Sequence, residues 1–188
     1  MAMLRYNASK PKVDLVPWAF IEALILPDDE HFTLPTYLIE DVAHVLDFGS
    51  RKYAAHNWRK GGPWSEVWAC GMRHILKYLR GETHDEESGL HHMAHLATNI
   101  AFLLEFIAVP RGIDDRFKLL AEIDDIAESP GGLRTVFYAY MAWRDGGETG
   151  ALADAAYYLA DWYDTLEDSE RAIHPGTSPF APIQVTRQ

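Results

Sequence analysis

Between Gly81 and Asn99 the chain gathers Glu82, Asp85, Glu86, Glu87, His91, His92, His95 and Asn99, a density of carboxylates and imidazoles that suits a divalent metal ion. The preceding stretch, from Arg51 to Arg80, supplies the opposite charge in Arg51, Lys52, Arg59, Lys60, Arg73, Lys77 and Arg80. Mg²⁺ takes one or two carboxylates plus phosphate oxygens, and Arg or Lys clamps the remaining negative charge. Acidic and basic groups in this order therefore point to a metal-bound polyphosphate.

Each group also has a plainer explanation. Glu82-x-x-Asp85 alone is an acidic, solvated helix end, and only its histidine neighbours raise it to a ligand set. His91, His92 and His95 stand at i, i+3 and i, i+4 spacings, which converge imidazoles on one transition metal or place them behind carboxylates as holders and proton carriers. Lys52, Arg73 and His74 can be ordinary surface partners of Glu40, Asp47 and Glu66. Asn57-Trp58 offers an amide edge and an indole face to a base, although a tryptophan in a small helical protein is more often core. His84-Asp85 spells the dipeptide of metal-dependent HD phosphohydrolases, with His56 and Asp114 or Asp124 available to complete that set. It sits, however, in a polar turn ending in Ser88-Gly89 rather than in an apolar helix.

Composition bounds these readings. The 188 residues suffice for one good core, and 48% hydrophobic with 24% charged residues is ordinary for a folded globular chain. A formal net charge of −11 repels a phosphate backbone and argues against polymeric nucleic acid as partner. The single cysteine, Cys70, falls in an apolar helical pattern, which fits a reducing compartment. No apolar run reaches the roughly 18 residues of a membrane span, so a cytoplasmic location is expected.

The elements that must position these residues are helical. Lys10-Pro11-Lys12 makes the first 14 residues an extended arm. Apolar spacing then predicts helices at about 17–26, 38–53, 64–79, 90–108, 114–127, 133–144 and 150–166, with no strand alternation. The second helix carries Glu40, His44, Asp47 and Arg51 in one polar stripe. Residues 54–62, rich in Gly and polar groups, read as a functional loop, and the acidic turn 82–89 leads into the fourth helix, where His92, His95 and Asn99 share a face. Residues 1–110 are expected to form the catalytic domain, 111–188 a helical extension packed on it, and the chain from about 174 a loose tail.

Taken together, Lys10-Pro11-Lys12-Val13-Asp14, Phe48-Gly49-Ser50-Arg51-Lys52-Tyr53, Asn57-Trp58-Arg59-Lys60-Gly61, Arg73-His74, Gly81-Glu82-x-x-Asp85, Glu87-Ser88-Gly89, His92-Met93-Ala94-His95 and Asn99 resemble the N-terminal domain of the dATP/dGTP diphosphohydrolases. That phage-associated group is placed near the all-α MazG-like nucleotide pyrophosphohydrolases. The resemblance runs from about Lys10 to Phe106. It implies an all-α bundle of the pyrophosphohydrolase type with additional C-terminal helices, Mg²⁺ or Mn²⁺ as cofactor, and a homodimer or tetramer. The implied reaction hydrolyses purine deoxynucleoside triphosphates to monophosphate and pyrophosphate in phage nucleotide-pool remodelling. Carried onto this sequence, Glu82, Asp85, Glu87 and His92 hold metal and His74 and His95 move the proton. Lys52, Tyr53, Asn57, Trp58, Lys60, Arg73 and Asn99 bind the nucleotide. One departure stands out: MazG enzymes use Glu-Glu-x-x-Glu and Glu-x-x-Asp helices, and His92-Met93-Ala94-His95 stands where the second would fall. The rival readings are an HD-type triphosphohydrolase and a non-catalytic, acidic helical interaction module.

Overall fold

A computed structural model describes residues 10–25, 34–116 and 132–171. Among these there are helices and no strands: α1 Trp18–Ala23, α2 Thr36–Tyr53, α3 Trp64–Leu79, α4 His92–Ala108, α5 Leu133–Arg144, α6 Thr149–Asp164 and α7 Asp168–Arg171. The all-α expectation holds. α2 to α6 fall where apolar spacing placed them, to within two residues at either end. Two differences have simple causes. Helix α4 begins at His92 because His91 caps it, its Nδ1 accepting the Met93 backbone N–H at 3.1 Å. The arm is not wholly extended, since Val13–Leu15 coils into a 3₁₀ turn that buries Leu15 against the core. Of the helix expected at 114–127, residues 114–116 are non-helical and the rest lies outside the described residues, as does the tail from 174.

Helix α4 is the axis of the bundle. It is apolar on nearly every side, with Met93, Leu96, Ala97, Ile100, Ala101 and Leu103 fully buried, and α1, α2, α3 and α6 pack around it. A helix that is hydrophobic all round must be surrounded. The polar positions of its first two turns, His92, His95, Thr98 and Asn99, are therefore deeply placed and need partners. α5 and α6 form a hairpin whose Tyr140, Trp143, Leu159 and Tyr163 join the same core.

The polar stripe of α2 is an anchor rather than a solvated face. Asp47 is 6% exposed and pairs with Lys12 of the arm and with Arg51 at 3.4 Å, while the Ser50 hydroxyl donates to its backbone carbonyl. Such a carboxylate needs these partners to be tolerated inside. Lys12 thereby ties the arm across α2.

Between α2 and α3 the chain turns sharply through Ala54 (φ 94°) and His56 (φ 57°), both in the left-handed region that costs a non-glycine residue of order 1–2 kcal/mol. The turn lays the 3₁₀ segment Asn57–Lys60 back over α4, where Trp58 stacks on Phe102 at 4.7 Å and 20°. This loop is fastened from behind. Trp64 N–H donates to Ile113 O at 3.0 Å and Ile113 N–H to Gly62 O at 3.0 Å, so the two backbones meet at Gly61, Gly62 and Gly112. A Cβ at Gly112, whose φ is +70°, would run into the Gly62 carbonyl oxygen and stand 2.9 Å from the Gly62 nitrogen. Backbone cannot retreat as a side chain can, so Gly112→Ala is expected to cost about 2–4 kcal/mol, checked by urea unfolding.

A histidine and aspartate cluster beneath an aromatic-walled cavity

The loop joining α3 to α4 is closed on itself. Asp85 N–H donates to Leu90 O at 2.9 Å, Gly89 N–H to Asp85 O at 2.8 Å and His92 N–H to Thr83 O at 2.9 Å. Inside it the Asp85 carboxylate accepts from the Ser88 backbone N–H at 3.0 Å, the Ser88 hydroxyl at 3.1 Å and the Glu87 N–H at 3.2 Å. Burial pushes this carboxyl upward, but the Ser88 hydrogen bonds and the neighbouring His95 and His74 outweigh it and hold Asp85 below the ordinary range. Asp85 is therefore a fixed anion.

Across from it, α3 and α4 bring histidines together from opposite helices. His74 Nδ1 meets His92 Nδ1 at 2.9 Å, and the His74 ring stacks on His95 at 4.5 Å and 11°. Ligand atoms of His74, Asp85 and His92 all lie within 4.8 Å of one another. His92 is fully buried, and its Nε2 has no partner among the described residues. All three imidazoles are driven toward the neutral form. Burial, then the neighbouring His95 and His92, lowers His74 to about 3, and burial lowers His95 to about 4 and lowers His92 as well. Neutral imidazole is the form that ligates metal.

The Ser88 hydroxyl fixes the tautomer of His95. Ser88 has one hydrogen, and Oγ donates it to Asp85 while lying 2.7 Å from His95 Nε2. With that hydrogen committed, His95 Nε2 is the donor to Ser88, and Nδ1 is the basic nitrogen.

Above the cluster opens a cavity of about 370 Å³, a size suited to a small organic ligand. His74, Asp85 and His95 line it together with Lys52, Tyr53, Glu87 and Asn57, and Val45, Leu46, Phe48, Trp58 and Phe102 give apolar and aromatic walls. Asn99 sits among them, its side-chain amide donating to His95 O at 2.8 Å, which leaves its carbonyl as the readable edge. Lys52 is half-exposed and ion-paired with Glu87.

Of the residues expected from sequence to form the site, the structure places Lys52, Tyr53, Asn57, Trp58, His74, Asp85, Glu87, His95 and Asn99 around this cavity, with His92 beside it. The others stand apart. Glu82 is exposed and faces Lys77 at 3.9 Å, Lys60 is exposed and donates to Asn57 Oδ1 at 2.9 Å, and Arg73 is exposed on α3. His91 is turned away, packed edge-on to Tyr163 at 5.3 Å and beside Trp162 and Tyr78. His84, the first half of the HD dipeptide, contacts the Thr83 hydroxyl at 2.9 Å and the His91 ring rather than the His74–Asp85–His92 group. Sequence reasoning gave no role to Ser88, Phe48, Thr98 or Phe102. Phe102 was available as Asn99 plus three, one turn along the same helix face.

Fold and site thus define an all-α protein in which two imidazoles and a carboxylate that could hold a metal ion lie by a cavity of small-ligand size. The chain belongs to the dATP/dGTP diphosphohydrolase N-terminal family, whose model matches residues 2–116, the stretch holding α1 to α4 and the whole cluster. A "dATP/dGTP diphosphohydrolase" of Salmonella phage PMBT28 is 33% identical over 97 residues, 52% of this chain. The chain spans only 33% of the length of that relative. No solved structure matches. No helix among the described residues is long and apolar enough to cross a membrane.

Proposed function

We propose that this protein hydrolyses purine deoxynucleoside triphosphates, dATP or dGTP, between the α and β phosphates, releasing the monophosphate and pyrophosphate, with a divalent ion, Mg²⁺ or Mn²⁺. The observation that carries this reading is the juxtaposition of the His74–Asp85–His92 cluster with a cavity that has aromatic walls at one side and Lys52 in its lining. Family membership and the name of the phage relative support it.

The donor set fits a divalent ion: a carboxylate held ionised and two neutral imidazoles, brought together from α3, α4 and the loop between them. When bound there, such an ion polarises phosphoryl oxygens and lowers the pKa of a bound water. The chain's own residues do the remainder. His95, neutral and oriented by Ser88, accepts a proton at Nδ1. Lys52 leaves Glu87 to meet phosphate oxygens, and the Asn99 carbonyl accepts from the base edge inside the apolar wall of Phe48, Trp58 and Phe102. A role in phage nucleotide pools, a homodimer or tetramer and a cytoplasmic site complete the proposal.

Lys52→Ala is expected to raise KM for the triphosphate roughly tenfold with a smaller change in kcat, because a partly exposed charge contributes mainly uniform binding. Steady-state kinetics separates the two. The function itself is tested by incubating the protein with each deoxynucleoside triphosphate and either ion, then resolving products. Monophosphate with pyrophosphate supports the reading, and nucleoside with triphosphate replaces it with HD-type chemistry. No turnover with any nucleotide sinks it and turns attention to an interaction module.

A further inference from the structure

The ligand set itself discriminates between metals. We propose that His74, Asp85 and His92 form a transition-metal site that takes Mn²⁺, Fe²⁺, Co²⁺ or Zn²⁺ in preference to Mg²⁺; this rests on the reading that the cluster holds the ion of the nucleotide reaction.

Three observations lead there. First, two of the three donors are imidazole nitrogens, and imidazole suits first-row transition ions, whereas Mg²⁺ is bound through oxygen and keeps its waters. Second, Glu82 and Glu87, harder donors of the same loop, lie outside the group of ligand atoms that come together. Asp85 is the one carboxylate in the group among the described residues. Third, the donors are close to one another: His74 Nδ1 and His92 Nδ1 are 2.9 Å apart, and ligand atoms of both rings and Asp85 all lie within 4.8 Å of one another. Both rings are on packed helices and His92 is fully buried, so the pair is held rather than gathered from a mobile surface. Three protein donors on one side leave the other positions for water and phosphate oxygens.

Ser88 is the positioning residue of this site. Its hydroxyl joins Asp85 to His95, and its backbone N–H gives Asp85 a second hydrogen bond. Outer partners of this kind orient a ligating carboxylate, and their loss costs about 10–100-fold in metal affinity.

The test uses the full chain, freed of metal by chelation and dialysis, without nucleotide. Co²⁺ is titrated in and followed by its visible absorption, with far-UV circular dichroism as the check on folding. The expected result is one Co²⁺ per chain, retained against roughly a hundredfold excess of Mg²⁺. The absorption is expected to collapse in His74→Asn and Asp85→Asn and to need about 10–100-fold more Co²⁺ in Ser88→Ala. Absence of a Co²⁺ spectrum in the wild type, ready displacement by Mg²⁺, or a spectrum unmoved by all three substitutions overturns the proposal. Should His74→Asn or Asp85→Asn fail to fold, wild-type competition with Mg²⁺ and the Ser88→Ala titration still decide it. Nucleotide hydrolysis is a separate readout. Tight Co²⁺ binding without turnover removes the proposed reaction and keeps this site, while turnover with Mg²⁺ that freely displaces Co²⁺ does the reverse.

Discussion

Asp85→Asn is expected to lower the proposed turnover of dATP or dGTP by about 10³-fold or more, because it removes the anion proposed to hold the metal and with it charge stabilisation worth several kcal/mol. The substitution is nearly isosteric. An asparagine carbonyl can still accept from the Ser88 N–H and hydroxyl, which close the loop between α3 and α4, so the fold has little reason to change. Turnover measured alongside a thermal melt separates loss of chemistry from loss of structure. Glu82→Gln is the informative control. Glu82 is exposed and outside the cluster, so turnover within about threefold of wild type is expected for a surface side chain facing Lys77. Full activity in Asp85→Asn, or collapse in Glu82→Gln alone, would move the metal site away from the His74–Asp85–His92 group and toward Glu82.

The reason that turn attracted attention is instructive. Asp85 and His92 were visible because they lie in one dense local segment, and density within nineteen residues can be read along a chain. His74 was visible only as a proton carrier. Its place in the cluster depends on α3 packing against α4 with the Cys70 and His74 face turned inward, a pairing that residues 18 apart do not announce. The helices themselves were legible because each buries an apolar stripe of helical period, as Leu38, Val42, Val45 and Leu46 do on α2. The polar stripe of the same helix was legible as a stripe but not as an anchor. Asp47 is buried by Lys12, far away in sequence, and no local pattern carries that information.

The histidines of residues 74–95 divide into two groups, and that division links the family-matched region to the helices beyond it. His74 and His95 line the cavity with His92 against His74, whereas His84 packs on His91, which faces Tyr163 and Trp162 of α6. Tyr163 in turn donates to Asp41 of α2 at 2.7 Å. The α5–α6 hairpin therefore forms the wall behind the capping residue of α4. A hairpin displaced by one turn would release His91, and with it the start of the helix that carries His92 and His95.

That burial has a cost in acid. Metal-free protein is expected to lose several kcal/mol of stability between pH 7.5 and 5. His74 and His91 are lowered to about 3 and His95 to about 4, each chiefly by burial, so the folded state refuses protons that the unfolded chain accepts. The unfolded state then binds more protons, and stability falls as pH drops below the ordinary histidine value, by about 1.4 kcal/mol per unit for each group. The three rings are neighbours whose charges oppose one another, so their protonations are coupled and these slopes do not simply add. Asp41 acts in the opposite sense. Burial raises it to about 6 despite its hydrogen bond from Tyr163, so the folded state binds its proton first and regains at most about 1.4 kcal/mol per unit between pH 6 and 3.8. The histidines win. Urea midpoints measured across this range should fall steeply toward pH 5, and saturating Co²⁺ or Mn²⁺ should raise them near pH 7 and lose that effect as protons compete for the imidazoles. Midpoints flat with pH would mean that these rings are not held neutral in the core, and the arrangement of His74 and His92 as ligands would fall with them.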